Sequence, residues 1–399
     1  MKKIVFLMMA ALLVGACGNP ERERREALRA RAQQTLDFAV EQGRRMAESL
    51  IDRPGRLPKS IRDGKLEETS SAGWVSGFFP GELWYLYEYS SDEELRRYAE
   101  EYTSRVEDQQ YTTDNHDVGF MIFCSFGNGW RVTGNEAYLD VIRTASNSLC
   151  TRFNPVTRTI RSWDTHSWSP WNYAVIIDNM MNLEMLMWSA DRFGEERFRE
   201  IAVSHADATM KNHFRPDFSS YHVVSYDTVT GGVEVRQTSQ GYSDESAWAR
   251  GQAWGLYGYT MMYRFTHDAR YLEQAKHIAR FLLDHKNLPE DKIPYWDFDA
   301  PDIPDALRDV SAGAIICSAL LELSDYVQEP LRDEYMAVAE RQIEALCSPD
   351  YLAGEGENCN FLLKHGVGNH PKGTEIDVPL SYADYYFVEA LMRYLEKTK

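Results

Sequence analysis

From about Gln33 to the C-terminus, apolar residues recur at spacings of three and four, and Pro and Gly lie mainly between these periodic stretches. Few segments alternate as strands do, so the pattern predicts an all-α protein. The periodic stretches repeat as helix hairpins, each an aromatic-rich first helix, a short polar turn and an amphipathic second helix. YEYSSDEELRRYAEE from Tyr87, WRVTGNEAYLDVIRTA from Trp130, ADRFGEERFREIAVSHA from Ala190 and YRFTHDARYLEQAKHIA from Tyr263 share this plan. A fifth copy, DVSAGAIICSALLELSDYV, starts at Asp309, and a sixth, PLSYADYYFVEALMRYLEK, near Pro379. The first helices start near Gly77, Asp117, Asp178, Arg250, Asp309 and Ser381 and are mostly apolar all round, which calls for burial on both sides; the second helices keep one polar face. Six such hairpins predict a double ring, an (α/α)6 barrel, over residues 33–399. An open solenoid would need more regular repeats and distinct caps.

Long irregular insertions precede the first helices: Ile51 to Trp74, Phe153 to Tyr173, Phe214 to Trp248, Lys286 to Arg308 and Tyr351 to Pro379. Connections that all enter the inner ring from one end build a pocket rim, and that end is where function is expected.

The N-terminus departs from this pattern. Lys2 and Lys3, an apolar run from Ile4 to Val14 and small residues up to Ala16 form a signal peptide too short to span a membrane as a helix. Leu13-Val14-Gly15-Ala16-Cys17 resembles a lipobox, with Cys17 as the lipidated first residue of the mature chain; plain secretion and an uncleaved anchor are the alternatives. An exported protein of the periplasm or outer membrane follows, touching membrane only through its anchor. Residues 17–32, with Arg and Glu interleaved, read as a tether or a first charged helix.

Composition adds exclusions. With 61 acidic against 43 basic residues the chain lacks the clustered positive charge that grips nucleic acid. The cysteines left after Cys17 (124, 150, 317, 347 and 359) show no CxxC pair and no zinc-finger spacing to histidine, so a structural metal is not expected. At 44% hydrophobic residues the chain can bury a large core by itself, and a monomer is expected.

Two carboxylates open otherwise apolar inner helices: Asp117 in DNHDVGFMIF and Asp178 in AVIIDNMMNLEMLMW. Each could simply cap its helix. They occupy equivalent positions in consecutive hairpins, however, so their heads should converge at one pore mouth, and Val175, Ile176 and Ile177 give Asp178 a desolvated setting that suits a proton donor. In ARGQAWGLYGY, Arg250 and Trp254 share one face of the next inner helix. They read either as an ion-paired Arg beside a core Trp, or as a carboxylate clamp beside a sugar-stacking plane. Trp74, Trp163, Trp168 and Trp171 enrich the inserted loops, which favours a carbohydrate site.

Taken together, HDVGF, IIDNMMNL, RPDFSSYHVV, GYSDESAWARGQAWGLYG with Gln240 ahead of it, and GVGNHPKGTEIDVPLSYADYYFVEAL resemble the unsaturated glucuronyl hydrolases, glycoside hydrolase family 88, from about Gly73 to the C-terminus. The resemblance implies the same barrel. It makes Asp178 the general acid and base, and Asp117 a second carboxylate that contacts sugar hydroxyls and shapes the charge state of Asp178. His222, Gln240 and Arg250 become unsaturated-uronate-binding residues, and Trp74, Trp163 and Trp254 aromatic subsite walls. The implied reaction hydrates the C4=C5 vinyl ether of a terminal 4,5-unsaturated uronic acid on an oligosaccharide, expected to be glycosaminoglycan-derived, without metal or cofactor. One departure lies between Lys364 and Thr374: members that accept sulfated units resemble one another in carrying Ser followed by Lys, whereas HGVGNHPKG offers Lys372 and no Ser. The related unsaturated rhamnogalacturonyl hydrolases, acting on pectin fragments, are the nearest rival reading. A non-catalytic glycan-binding lipoprotein is the rival of another class; it needs the tryptophans and Arg250 but no buried Asp pair.

Overall fold

The computed structural model describes residues 20–165 and 169–399. The leader, Cys17 and Trp168 lie outside the described residues.

The inner helices are α2 (Phe78–Ser90), a π-helical stretch (Gly119–Gly127) running into α4 (Asn128–Thr133), α6 (Asn179–Phe193), α8 (Ala249–Thr266), α10 (Val310–Leu323) and α12 (Ser381–Lys397). Each packs on the next, and α12 packs back on α2, so the ring closes. Outside it lie α3 (Glu93–Ser104), α5 (Ala137–Cys150), α7 (Glu196–Asn212), α9 (Ala269–Asp284) and α11 (Leu331–Leu346), each beside the inner helix that precedes it. Four of the inner-to-outer turns use a left-handed residue at the same place, Ser91, Gly134, Gly194 and His267, which ends one helix and lets the chain reverse. Asp92 and Asp268 then cap the outgoing helices by accepting the amide hydrogens of Glu94 and Arg270.

The sixth hairpin is completed from the other end of the chain. Helix α1 (Pro20–Leu50) packs against α12, α2 and α11 and serves as the missing outer helix. Its buried residues Leu28, Ala32, Leu36, Ala39 and Met46 form one stripe. Arg29 donates to the carbonyl of Leu395 at 2.7 Å and to Thr398, while Arg24 pairs with Glu340 of α11. The charged stretch after Cys17 is therefore helical from residue 20, and the expected division between residues 32 and 33 falls inside one continuous helix.

Among the described residues, strands lie in the insertions or directly after one, all antiparallel: β1 (Leu57–Arg62) with β2 (Lys65–Thr69), β3 (Phe153–Asn154) with β4 (Thr159–Ile160), a sheet of β5 (Ala174–Ile176), β6 (Val223–Tyr226) and β7 (Val233–Gln237), and a ribbon of β8 (Gly366–Asn369) and β9 (Thr374–Val378). They are short beside the helices, and the alternation in β7 and β9 is brief.

Because α1 closes the ring, Leu36→Ala, which empties a fully buried position, should destabilise the whole barrel by about 2–5 kcal/mol. A single cooperative denaturant transition shifted to lower concentration is expected; loss of α1 helicity alone, with the rest unmoved, would contradict this role.

Candidate active site

The insertions and the N-terminal ends of the inner helices meet at one mouth of the ring. Strand β5 leads straight into Asp178, and its register with β6 pairs Ile176 with Val223. The next pair along is Ile177 and His222, joined by a hydrogen bond from the Ile177 amide to the His222 carbonyl at 3.1 Å. Asp178 and His222, 44 positions apart in the chain, are thus brought near one another by three pairs of β-register.

Asp178 stands at the N-cap position of α6 but makes no side-chain capping bond. It is 6% exposed, and its Oδ2 has no hydrogen-bond partner among the described residues. Burial pushes its carboxyl up to about 6, opposed by the positive charge of Arg250 and by the Trp254 indole. His222 Nδ1 accepts the amide hydrogens of Ser239 at 3.0 Å and Gln240 at 3.1 Å. The ring proton must then sit on Nε2, which faces Asp178 Oδ2 at 3.6 Å. Burial, reinforced by Arg250, pushes the imidazole down to about 3, so it is a neutral donor.

Asp117 comes from the turn before the π-helical stretch. The Phe120 amide donates to Asn182 Oδ1 at 2.8 Å, tying this stretch to α6. A Cβ on Gly119 would lie 2.7 Å from Asn182 Cα, so glycine permits the approach. The Asp117 side chain keeps about a fifth of its surface exposed and lies 3.4 Å from His116 Nε2. Burial and the neighbouring Asp178 push it up to about 8. The two carboxyls are therefore close enough to act on one another's charge.

Arg250 is 1% exposed. Its Nη1 donates to Asp309 at 3.0 Å and to the Val367 carbonyl at 2.6 Å, and Nη2 to Gln240 Oε1 at 2.8 Å and the Gly368 carbonyl at 2.5 Å. Its guanidinium also lies over the rings of Trp248 (4.6 Å) and Tyr382 (5.3 Å). The ion-paired reading of Arg250 thus describes its contacts, with the charge still directed at Asp178.

Trp254 is fully buried against Phe120 and Tyr386, so it forms a floor under the carboxyl and presents no open stacking face. Trp74, half-buried, packs on Tyr382 at 4.9 Å. Trp163 bridges to Asn115, whose Oδ1 receives the Asp117 amide, and packs on Trp171. Lys372 sits on the exposed tip between β8 and β9, where the neighbouring His370 ring stacks on Trp296 at 4.1 Å. His116, Trp248, Asp309 and Tyr382 were not singled out from sequence. The signal for the last two was their place at the start of inner helices, shared with Asp117 and Asp178.

A cavity of about 240 Å³ inside the ring, lined by Phe123, Trp188 and Tyr386, has its charges paired, Arg264 with Glu184 and Glu322, and Arg393 with Glu322 and Glu389. Around Asp178, in contrast, His222 Nε2, Trp254 Nε1, Tyr382 Oη and Asp178 Oδ2 are all buried without partners, a combination that a bound polar ligand resolves.

Comparison with known proteins is consistent along the chain. The model for Glycosyl Hydrolase Family 88 matches residues 44–396. An unsaturated glucuronyl hydrolase of Formosa agariphila is 45% identical over 84% of this chain and 83% of its own. An unsaturated chondroitin disaccharide hydrolase of Streptococcus agalactiae is 33% identical over 80% and 81%. A crystal structure of an unsaturated glucuronyl hydrolase described as specific for heparin superposes with a TM-score of 0.89 at 47% identity, covering 92% of this chain and 98% of that one. With a closed double ring of helices, a buried Asp178 near Asp117 at one mouth and these relatives over most of its length, the chain belongs to glycosyl hydrolase family 88.

Proposed function

We propose that this protein removes a terminal 4,5-unsaturated uronic acid from lyase-generated glycosaminoglycan oligosaccharides, with Asp178 as the proton donor. The single observation that carries this reading is the buried Asp178 carboxyl, its Oδ2 without a hydrogen-bond partner, raised to about 6 beside a neutral histidine donor. The named relatives at 45% and 33% identity, all acting on unsaturated glucuronyl or chondroitin units by their names, favour it over the rhamnogalacturonyl reading. Among glycosaminoglycans, heparin-type disaccharides come first, on the strength of the 47% identical heparin-specific enzyme.

In the reaction, protonated Asp178 delivers its proton to C4 of the vinyl ether, and positive charge develops at C5 and the ring oxygen. The resulting carboxylate, stabilised by His222 Nε2–H, takes a proton from a water whose oxygen bonds to C5. Asp178 is thereby restored as an acid. The hemiketal at C5 opens to a ketone, leaving a hemiacetal at C1 that breaks down to an aldehyde and frees the remaining saccharide. Ordinary glycosidases need one carboxyl on each side of the anomeric carbon; here one residue serves in turn as acid and base. Asp117, protonated through the range where Asp178 titrates, offers its hydrogen to sugar hydroxyls. Arg250, oriented by Gln240, sets the charge behind the uronate, Trp74 and Trp163 wall the subsites, and Lys372 is placed to meet an anionic group on the next sugar. The enzyme works as an exported monomer held to a membrane through lipidated Cys17.

Asp178→Asn should abolish the loss of absorbance near 235 nm given by 4,5-unsaturated disaccharides. Because the folded-state pKa is raised, ionised Asp178 destabilises the fold above about pH 6, by about 3 kcal/mol at most. The variant's thermal midpoint at pH 8 should therefore be no lower than wild type, and any advantage should shrink as pH falls below 6. Equal turnover by variant and wild type would remove Asp178 from the mechanism.

The wild-type kcat/KM should fall about tenfold per pH unit above about 6, as the acid form is lost. Asp117→Asn, replacing a group that is neutral at that pH, should weaken turnover yet leave this limb within about half a unit. A limb displaced by more than one unit would show that Asp117 governs the titration.

Cys17→Ser should move the protein from the membrane pellet to the soluble fraction and end incorporation of labelled fatty acid. An unchanged distribution would refute the anchor.

A further inference from the structure

The phenol of Tyr382 is the polar group at this mouth to which the reading above assigns no task. Tyr382 is the second residue of α12 and 1% exposed, yet its hydroxyl has no hydrogen-bond partner. A buried unpaired hydroxyl is costly, and phenylalanine would fill the same space without that cost. The ring is held in place on two sides, by Trp74 at 4.9 Å and by the Arg250 guanidinium at 5.3 Å. Asp178, Asp309 and Glu375 are near enough to act on its charge, and burial keeps it protonated, so it is a fixed O–H donor within the electrostatic reach of the acid.

The strongest charged donor at this mouth is largely committed to protein partners. Arg250 has the matching charge, but its Nη hydrogens are engaged by Asp309, Gln240 and the carbonyls of Val367 and Gly368. His222 Nε2–H faces Asp178, and Trp254 Nε1–H lies beside it. Tyr382 is the remaining unpaired buried donor of the group. We propose that Tyr382 donates its hydroxyl hydrogen to the carboxylate of the unsaturated uronic acid, with Arg250 supplying positive charge from behind the ring without a direct bidentate grip.

This division of labour suits the chemistry. Positive charge develops at C5, the carbon that carries the carboxylate. A neutral phenol orients that carboxylate while leaving its negative charge available to the adjacent cationic centre, whereas a bidentate guanidinium would neutralise it. The hydrogen bond exists before and during proton transfer, so it contributes equally to ground and transition states.

The inference rests on the proposed hydrolase reading, and the two fail differently. If wild type does not turn over unsaturated disaccharides, the reading itself is wrong. With wild type active, Tyr382→Phe should raise KM about ten- to hundredfold and leave kcat within about threefold, as loss of a charge-assisted hydrogen bond made in both states requires. Its thermal midpoint should equal or exceed that of wild type, since the hydroxyl has no partner in the protein. The methyl ester of the substrate should be a much poorer ligand than the free acid for wild type, and this preference should shrink in Tyr382→Phe. An unchanged KM, an equal ester penalty in both proteins, or a lowered midpoint revealing an internal hydrogen bond would each overturn the assignment.

Discussion

Closure of the inner ring is the constraint on which everything else rests. Helices apolar on nearly all sides, such as α10 with its run of buried residues from Val310 to Leu321, have no stable arrangement with one face in water. They are covered only when α12 returns to α2 and an outer helix shields each of them. The chain supplies five of those outer helices locally and the sixth, α1, from its beginning, so the fold is complete only when the two ends of the described chain meet. Once the ring is closed the six inner helices run parallel, and their N-terminal ends, with the insertions feeding them, collect at one mouth.

That mouth concentrates unfavourable features. A desolvated carboxyl with one oxygen unpaired, a phenol without an acceptor, and a neutral imidazole buried beside them would each be removed by selection for stability alone. They are tolerated because the surrounding ring buries far more apolar surface than the site forfeits. The β5–β6 register makes the arrangement rigid: His222 is locked by two amide donors on one side of its ring, and so faces Asp178 with a proton on the other. The acid is kept desolvated and oriented by a scaffold that does not need it.

Much of this could be read in the residues. The three- and four-residue spacing gave the hairpins, and the recurrence of Asp at the first turns of consecutive inner helices pointed to one mouth. The absence of a side-chain capping bond at Asp178 removes one of the two readings that the sequence left balanced. Three things stayed hidden for physical reasons. The outer partner of α12 was invisible because its complement lies some 330 residues earlier in the numbering, and no local pattern reports that pairing. The short strands of the insertions alternate, where they do so at all, over a few residues only, as in β7 and β9, against a helical pattern that runs the length of the chain. The commitments of Arg250 were hidden because backbone carbonyls of β8 have no side-chain signature; a guanidinium in a motif does not reveal which of its hydrogens are already spent.

The electrostatics of the mouth tie binding to protonation. The protein carries a formal net charge of −18, yet the substrate class proposed for it is anionic. Arg250 is nearly balanced by Asp309, so its pairing alone does not make the mouth attractive to a carboxylate. The balance is tipped by Asp178 and Asp117: burial holds Asp178 protonated to about pH 6 and Asp117 to about 8, and the aligned inner-helix N-termini add partial positive charge. Below about pH 6 neither of these two acids adds negative charge to the mouth, and the same proton on Asp178 that removes the repulsion is the one the vinyl ether receives. Substrate binding and acid catalysis consequently draw on a single protonation event. A metal ion would supply charge independent of pH; desolvation of one carboxyl supplies both the charge state and the reagent.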